Sequence, residues 1–184
     1  MGFFILIVGV ALWWAAHLFK RVAPARRAAM GNSGRGAVAG ALVVSIVLMV
    51  IGYRMTDDIF VWAPPTSMMH LNNMLILIAI WMMSPAGQKG RILSRVRHPM
   101  QIGFGLWAFS HLLVNGDLAS IVLFGGLLAW VPVQMAAINR AEPAWTPRTG
   151  GSLGKDGMFL VASVLLLLII GYVHGLIGPS PFPG

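Results

Sequence analysis

The residues of this 184-residue chain best suited to chemistry are its five histidines, His17, His70, His98, His111 and His174. All five lie within or at the edge of long apolar runs. A neutral imidazole can ligate haem iron without bringing a charge into apolar surroundings. A b-type haem needs one or two such ligands and an apolar slot, and no sequence motif. Zinc could use three histidines, but the chain has no H-E-x-x-H and no acidic partner inside a run. The absence of cysteine excludes thiolate chemistry, a Cys-ligated iron–sulfur cluster, covalent c-type haem attachment and a disulfide framework. The five acids, Asp57, Asp58, Asp117, Glu142 and Asp156, read as loop or run-end residues. That leaves no buried carboxylate relay and no oxygen-rich site for Mg²⁺ or Ca²⁺.

The elements that must position these histidines follow from composition. Hydrophobic residues make up 58% of the chain and charged residues 10%, against about 25% charged in a soluble domain. This excludes a soluble globular protein and a disordered one. The continuous apolar runs predict an all-α polytopic membrane protein rather than a barrel of alternating strands. At about 20 residues per span, six helices are expected over Gly2–Phe19, Ala37–Tyr53, Ser67–Met83, Pro99–Val114, Leu118–Ile138 and Gly157–Ile177. The fourth is short. No repeat and no separate soluble domain is visible, so residues 1–184 read as one membrane domain.

Twelve of the 13 basic residues fall in the first, third and fifth loops. The positive-inside rule makes those odd loops cytoplasmic, with both termini outside. The net charge of +8 then reports orientation in a lipid bilayer, and nucleic acid is not an expected partner. No basic n-region precedes the first run, so it reads as a span rather than a cleaved signal. Pro99 fits the first position of a helix, and Pro132 falls inside the fifth span. Gly36-x-x-x-Gly40 and Gly171-x-x-x-Gly175 are candidates for close helix contact. The stretch Arg140–Asp156, rich in Pro and Gly, reads as a loop.

With this topology His17 and His98 lie near the cytoplasmic side, and His70, His111 and His174 nearer the outer side. His98 and His111 point to faces about 140° apart on one helix. His111 shares its face with Met100, Phe104 and Trp107, and His17 follows Trp13 and Trp14 by one turn. For straight spans, His17 and His111 differ in depth by roughly 20 Å. His17 with His98, and His70 with His111, are the depth-compatible pairs.

Around the fourth span the sequence resembles the NnrU family. The resemblance is carried by Arg97-His98-Pro99-Met100, Leu106-Trp107-Ala108-Phe109-Ser110-His111-Leu112-Leu113 and Asn115-Gly116-Asp117. His17-Leu18, Val61-Trp62-Ala63-Pro64-Pro65, Leu123-Phe124-Gly125-Gly126 and His174-Gly175-Leu176-Ile177-Gly178 extend it over nearly the whole chain. It implies a multi-pass protein of the bacterial inner membrane, associated with nitrite and nitric oxide reduction in denitrifiers. The family includes 15-cis-ζ-carotene isomerase, a b-haem protein with histidine ligands. Those ligands match His17 and His111, the implied axial ligands of haem iron. The isomerase has a Cys where this chain has Ala108, so a thiol-based ligand switch is excluded here.

The leading expectation is therefore a b-haem membrane protein tied to respiratory nitrogen-oxide metabolism, with His17 and His111 as ligands and His98 and His70 as further cofactor-site candidates. Respiratory reductase components are the expected partners, and its role is that of an accessory or redox factor. One alternative is a haem-dependent cis–trans isomerase of carotenoid-like polyenes. Arg-His-Pro at a helix start also resembles the membrane methyltransferases that use S-adenosylmethionine, but the expected acids and tyrosines downstream reduce here to Arg140 and Glu142. A non-catalytic scaffold with packed histidines is the bland reading.

Overall fold

A computed structural model describes residues 1–182. Among these residues the chain is helical apart from turns, extended linkers and two isolated bridges. The helices are α1 (Gly2–Val22), α2 (Pro24–Ala29), α3 (Ser33–Arg54), α4 (Met68–Met83), α5 (Ala86–Lys89) and α6 (Pro99–Val114), then α7 (Leu118–Ser120), α8 (Gly126–Ala141) and α9 (Leu153–Ile177). A π-helical turn, Ile121–Gly125, joins α7 to α8, so Leu118–Ala141 forms one continuous helical stretch. Four helical stretches are long and apolar enough to cross a membrane: Gly2–Val22, Ser33–Arg54, Leu118–Ala141 and Leu153–Ile177. The other two apolar helices, α4 and α6, have 16 residues each. That is about 24 Å of helix, short of a hydrocarbon core of about 30 Å.

The chain divides into two compact units. Unit 1 combines Met1–Trp62 with Gly116–Pro143, and unit 2 combines Ala63–Asn115 with Ala144–Gly184.

In unit 1, α1 and α3 approach until backbone meets backbone. A Cβ on Gly9 would lie 2.8 Å from the Met49 nitrogen, and one on Gly52 would lie 2.7 Å from the Leu6 Cα. Only glycine permits this spacing, which is how membrane helices gain contact when lipid offers no hydrophobic drive. Ser45, fully buried, donates from Oγ to the Gly9 carbonyl at 2.9 Å. Gly36 and Gly40 meet nothing within 4 Å. The expected contact there is absent among the described residues, because the crossing uses Gly9 and Gly52 instead. Trp14 ties α8 to α1 by donating from Nε1 to the Gly126 carbonyl at 3.0 Å. At the other end of α8, Arg21 and Glu142 form an ion pair at 2.9 Å.

The linker before α4 is fastened to the start of α7. Val61 and Trp62 both donate N–H to the Gly116 carbonyl, at 2.8 and 3.0 Å. Asp117 caps the helix by accepting from the Ser120 N–H at 2.8 Å. Its other oxygen accepts from Ser120 Oγ at 2.6 Å, and Tyr53 Oη lies 2.8 Å from that same Oγ. With the Ser120 hydroxyl donating to the carboxylate, the Tyr53 hydroxyl is the donor to Ser120.

In unit 2, α6 packs on α4 through Gly103, where a Cβ would lie 2.8 Å from the Ala79 carbonyl. Ala79 and Ala108 are fully buried. The second Gly pair, Gly171 and Gly175, packs against the C-terminal tail at Phe182 and Ser180 rather than against a helix. The tail is also held by Asn73 Nδ2, which donates to the Pro181 carbonyl at 2.8 Å.

Helix α9 starts at Leu153, four residues before the expected Gly157. That moves Asp156 from a loop into the first helical turn, where it is 3% exposed. Its Oδ2 accepts the N–H groups of Arg91 and Ile92 at 2.6 and 3.0 Å. Its carbonyl accepts from Trp81 Nε1 at 3.2 Å. Asp156 thus fastens the linker before α6 to α9 and α4.

Candidate functional site

The histidines fall into different settings. His70 is exposed in the first turn of α4. His98 is buried and sits at the N-cap of α6, directly before Pro99. His174 is exposed near the end of α9, and its Nδ1 donates to the Pro179 carbonyl at 2.7 Å. His17 and His111 are half-buried and differ from the other three in a common way.

Both belong to a W-x-x-x-H turn, Trp13 to His17 on α1 and Trp107 to His111 on α6. In each, the imidazole Nδ1 reaches back to the carbonyl of that Trp, at 3.0 Å for His17 and 2.8 Å for His111. A carbonyl only accepts, so Nδ1 carries the proton and Nε2 carries the lone pair. Each ring also leans on the indole one turn earlier. The centroid distances are 4.2 Å for Trp13–His17 and 4.9 Å for Trp107–His111. The helix supplies both restraints, because residues four apart lie above one another. A hydrogen-bonded Nδ1 with Nε2 as donor atom is how proteins orient imidazole toward a metal.

The surroundings are aromatic and apolar. In unit 1, Trp130 of α8 presents its edge to His17 at 4.7 Å and to Trp13 at 5.7 Å, so two indoles flank the imidazole. Trp130 is 4% exposed. In unit 2, Phe104 adds a third ring to Trp107 and His111, at 5.2 Å from Trp107. The face expected for His111 thus forms with Phe104 and Trp107, whereas Met100 is exposed. On α1 it is Trp13, not Trp14, that stacks on His17, since Trp14 turns to Gly126. Trp130 carries no sequence signal that would link it to a histidine 113 positions away.

Each turn, taken by itself, offers one imidazole donor beside aromatic rings. Among the described residues, no group of three or more His, Cys, Asp or Glu is placed to hold a metal ion. Neutral imidazoles with aromatic neighbours suit the iron and the faces of a flat apolar macrocycle.

No curated protein and no solved structure matches the chain. The NnrU protein family model matches residues 5–181, nearly the whole length, and the chain belongs to that family.

Proposed function

We propose that the protein is a b-haem protein of the bacterial inner membrane, with His17 and His111 as iron ligands, serving nitrite and nitric oxide reduction as an accessory or redox factor. The observation that carries this reading is the repeated W-x-x-x-H turn, in which each Nδ1 is already committed to the helix backbone. Bound there, a haem would supply one-electron chemistry at its iron. The protein's own part is to hold two imidazoles in a single tautomer and to keep their surroundings apolar. The test is the absorption spectrum of protein purified from its own membrane. A Soret band that falls in both His17→Ala and His111→Ala supports the reading. A colourless protein that stays apo after haem reconstitution sinks it.

The same proposal includes six spans, with α4 and α6 crossing as short helices and both termini outside. The concentration of basic residues in the odd loops supports this orientation. The chain has no cysteine, so single-Cys labelling has no background. Asn115→Cys should label in intact cells, and Gln88→Cys only after permeabilisation. The reverse pattern would invert the topology.

One observation favours a second reading, the isomerisation of a polyene. Along α1 runs an apolar groove of about 680 Å³, lined by Ile7, Val10, Ala11, Trp14, Leu18 and Val22 among others. It suits a long unsaturated chain. Co-expression with 9,15,9′-tri-cis-ζ-carotene synthesis decides it, and an unchanged pigment profile with the protein present in the membrane removes this reading.

A further inference from the structure

Unit 2 has six Lys and Arg residues, Lys89, Arg91, Arg95, Arg97, Arg148 and Lys155, and a single acid, Asp156. The basic residues all lie at one end, in the linker before α6 and around the start of α9. These two stretches are joined along their backbones. Ser152 bridges to Gly90, Ser152 N–H donates to the Lys89 carbonyl at 3.4 Å, and Arg148 N–H donates to the Ser94 carbonyl at 3.3 Å. Gly151 lies against the Gly90 carbonyl with no room for a Cβ. Leu93 and Ser94 are buried beneath the junction.

Asp156 is turned inward onto the N–H groups of Arg91 and Ile92, so it does not neutralise the surface. Lys89, Arg91, Arg95, Arg148 and Lys155 are exposed and have no carboxylate partner among the described residues. Apolar side chains stand beside them: Ile92 is 50% exposed, Leu153 is 57% exposed, and Trp145 lies three residues before Arg148. Within unit 2 the surface is therefore cationic, with its one acid turned inward, and carries exposed apolar groups. It sits where three apolar helices end or begin, α4 at Met83, α6 at Pro99 and α9 at Leu153. Helix α9 has 25 residues, about 38 Å, about 8 Å more than a hydrocarbon core of about 30 Å, so at least one of its ends reaches the headgroup layer.

We propose that this surface is a binding site for anionic phospholipid, with phosphates held by Arg91, Arg95, Arg148 and the two lysines, and with Ile92, Leu153 and Trp145 entering the acyl boundary. An acidic protein would match the charge, but exposed apolar and indole groups at helix ends match the headgroup layer. The proposal does not depend on haem or on which side of the membrane the surface faces.

The test uses the full chain in a mild non-ionic detergent. Native mass spectrometry compares retention of phosphatidylglycerol with phosphatidylcholine of the same acyl chains. The wild type should favour phosphatidylglycerol, and the preference should fall as salt rises. Each cation near a membrane surface contributes about fivefold, so Arg91→Gln/Arg95→Gln/Arg148→Gln should lose on the order of a hundredfold of it. The control Arg26→Gln/Arg35→Gln, which removes exposed charge from unit 1, should keep it. Helical content by circular dichroism confirms that the variants fold. Equal retention of both lipids by the wild type overturns the proposal. So does a triple variant that keeps the preference, or a control that loses as much as the triple variant.

Discussion

Removing the Asp156 carboxylate should release the linker before α6. The acid is 3% exposed and accepts two backbone N–H groups through one oxygen, at 2.6 and 3.0 Å. In Asp156→Ala both donors lose their partner. Both bonds are part-buried, and a hydrogen bond to a charged group is worth about 1.5–3 kcal/mol, so the pair sets the upper bound of the loss at about 3–6 kcal/mol. Asp156→Asn keeps an acceptor oxygen and gives up only the charge assistance, so its loss should be smaller, about 1–3 kcal/mol. Gly90→Ala attacks the same contact from the other side, since a Cβ there would meet Asp156 Oδ1 and would lie 2.7 Å from the Ala86 carbonyl. Such overpacking costs about 1–3 kcal/mol. Because the two positions touch, the double variant Gly90→Ala/Asp156→Ala should cost less than the two losses added. Equilibrium unfolding in mixed micelles, followed by tryptophan fluorescence, measures the stability. Trp81, which donates to the Asp156 carbonyl, gives the signal a local component. Trypsin cleavage after Arg91 and Arg95 measures opening of the linker itself. If Asp156→Ala unfolds within about 0.5 kcal/mol of the wild type, the scale of a surface change, and trypsin cuts no faster, the carboxylate is not the fastening.

Other parts of the fold give sharper or smaller effects. Trp130→Ala should cost about 3–5 kcal/mol as a buried large-to-small change, and in haem-loaded protein it should shift the Soret maximum, whereas Trp130→Phe should retain most of both. Ser45→Ala should cost only about 0.6 kcal/mol, the typical worth of a hydrogen bond between membrane helices. By contrast Gly52→Val, at the same crossing, should cost at least about 1–3 kcal/mol because its Cβ meets the backbone of Leu6. Tyr53→Phe should lose about 0.5–1.5 kcal/mol with its hydrogen bond to Ser120. Each is read by the same unfolding assay, and a Ser45→Ala loss as large as that of Gly52→Val would refute the view that spacing, not polarity, sets the α1–α3 contact.

Hydropathy located every long helix, because a segment that must satisfy its backbone inside lipid has few choices beyond a continuous helix. It placed Pro99–Val114 at the bounds observed. It stopped short elsewhere for a physical reason: apolar character ends at the hydrocarbon edge, while hydrogen-bonded turns continue into the headgroup layer. Thus α1 runs on to Val22 through Lys20 and Arg21, and α9 begins at Leu153, ahead of Lys155 and Asp156. The histidine turns were half legible. Spacing of four puts Trp107 under His111, but the choice between Trp13 and Trp14, and the arrival of Trp130 from α8, depend on helix packing that no local pattern encodes. The glycine motifs misled for a related reason. Gly36 and Gly40 have the spacing of a contact, yet the crossing is made by Gly9 and Gly52, which share no motif because they come from different helices. Asp156 looked like a loop acid, since an acid at the foot of an apolar run gives no sign of facing backbone amides.

The order in which the two units share the chain bears on how the protein is made. The polypeptide leaves unit 1 after Trp62, builds most of unit 2, returns at Gly116 and leaves again after Pro143. During synthesis the α1–α3 contact is the first between long helices that can form, as a hairpin, while the rest is still on the ribosome. Unit 1 must then wait for Leu118–Ala141, and unit 2 must hold α4 and α6 without α9 until the last helix emerges. No single cut separates the units into two continuous fragments. A nascent chain stalled before Leu153 would therefore present an open α4 flank to the insertion machinery, which makes late truncations candidates for quality-control degradation rather than for stable, partly active products.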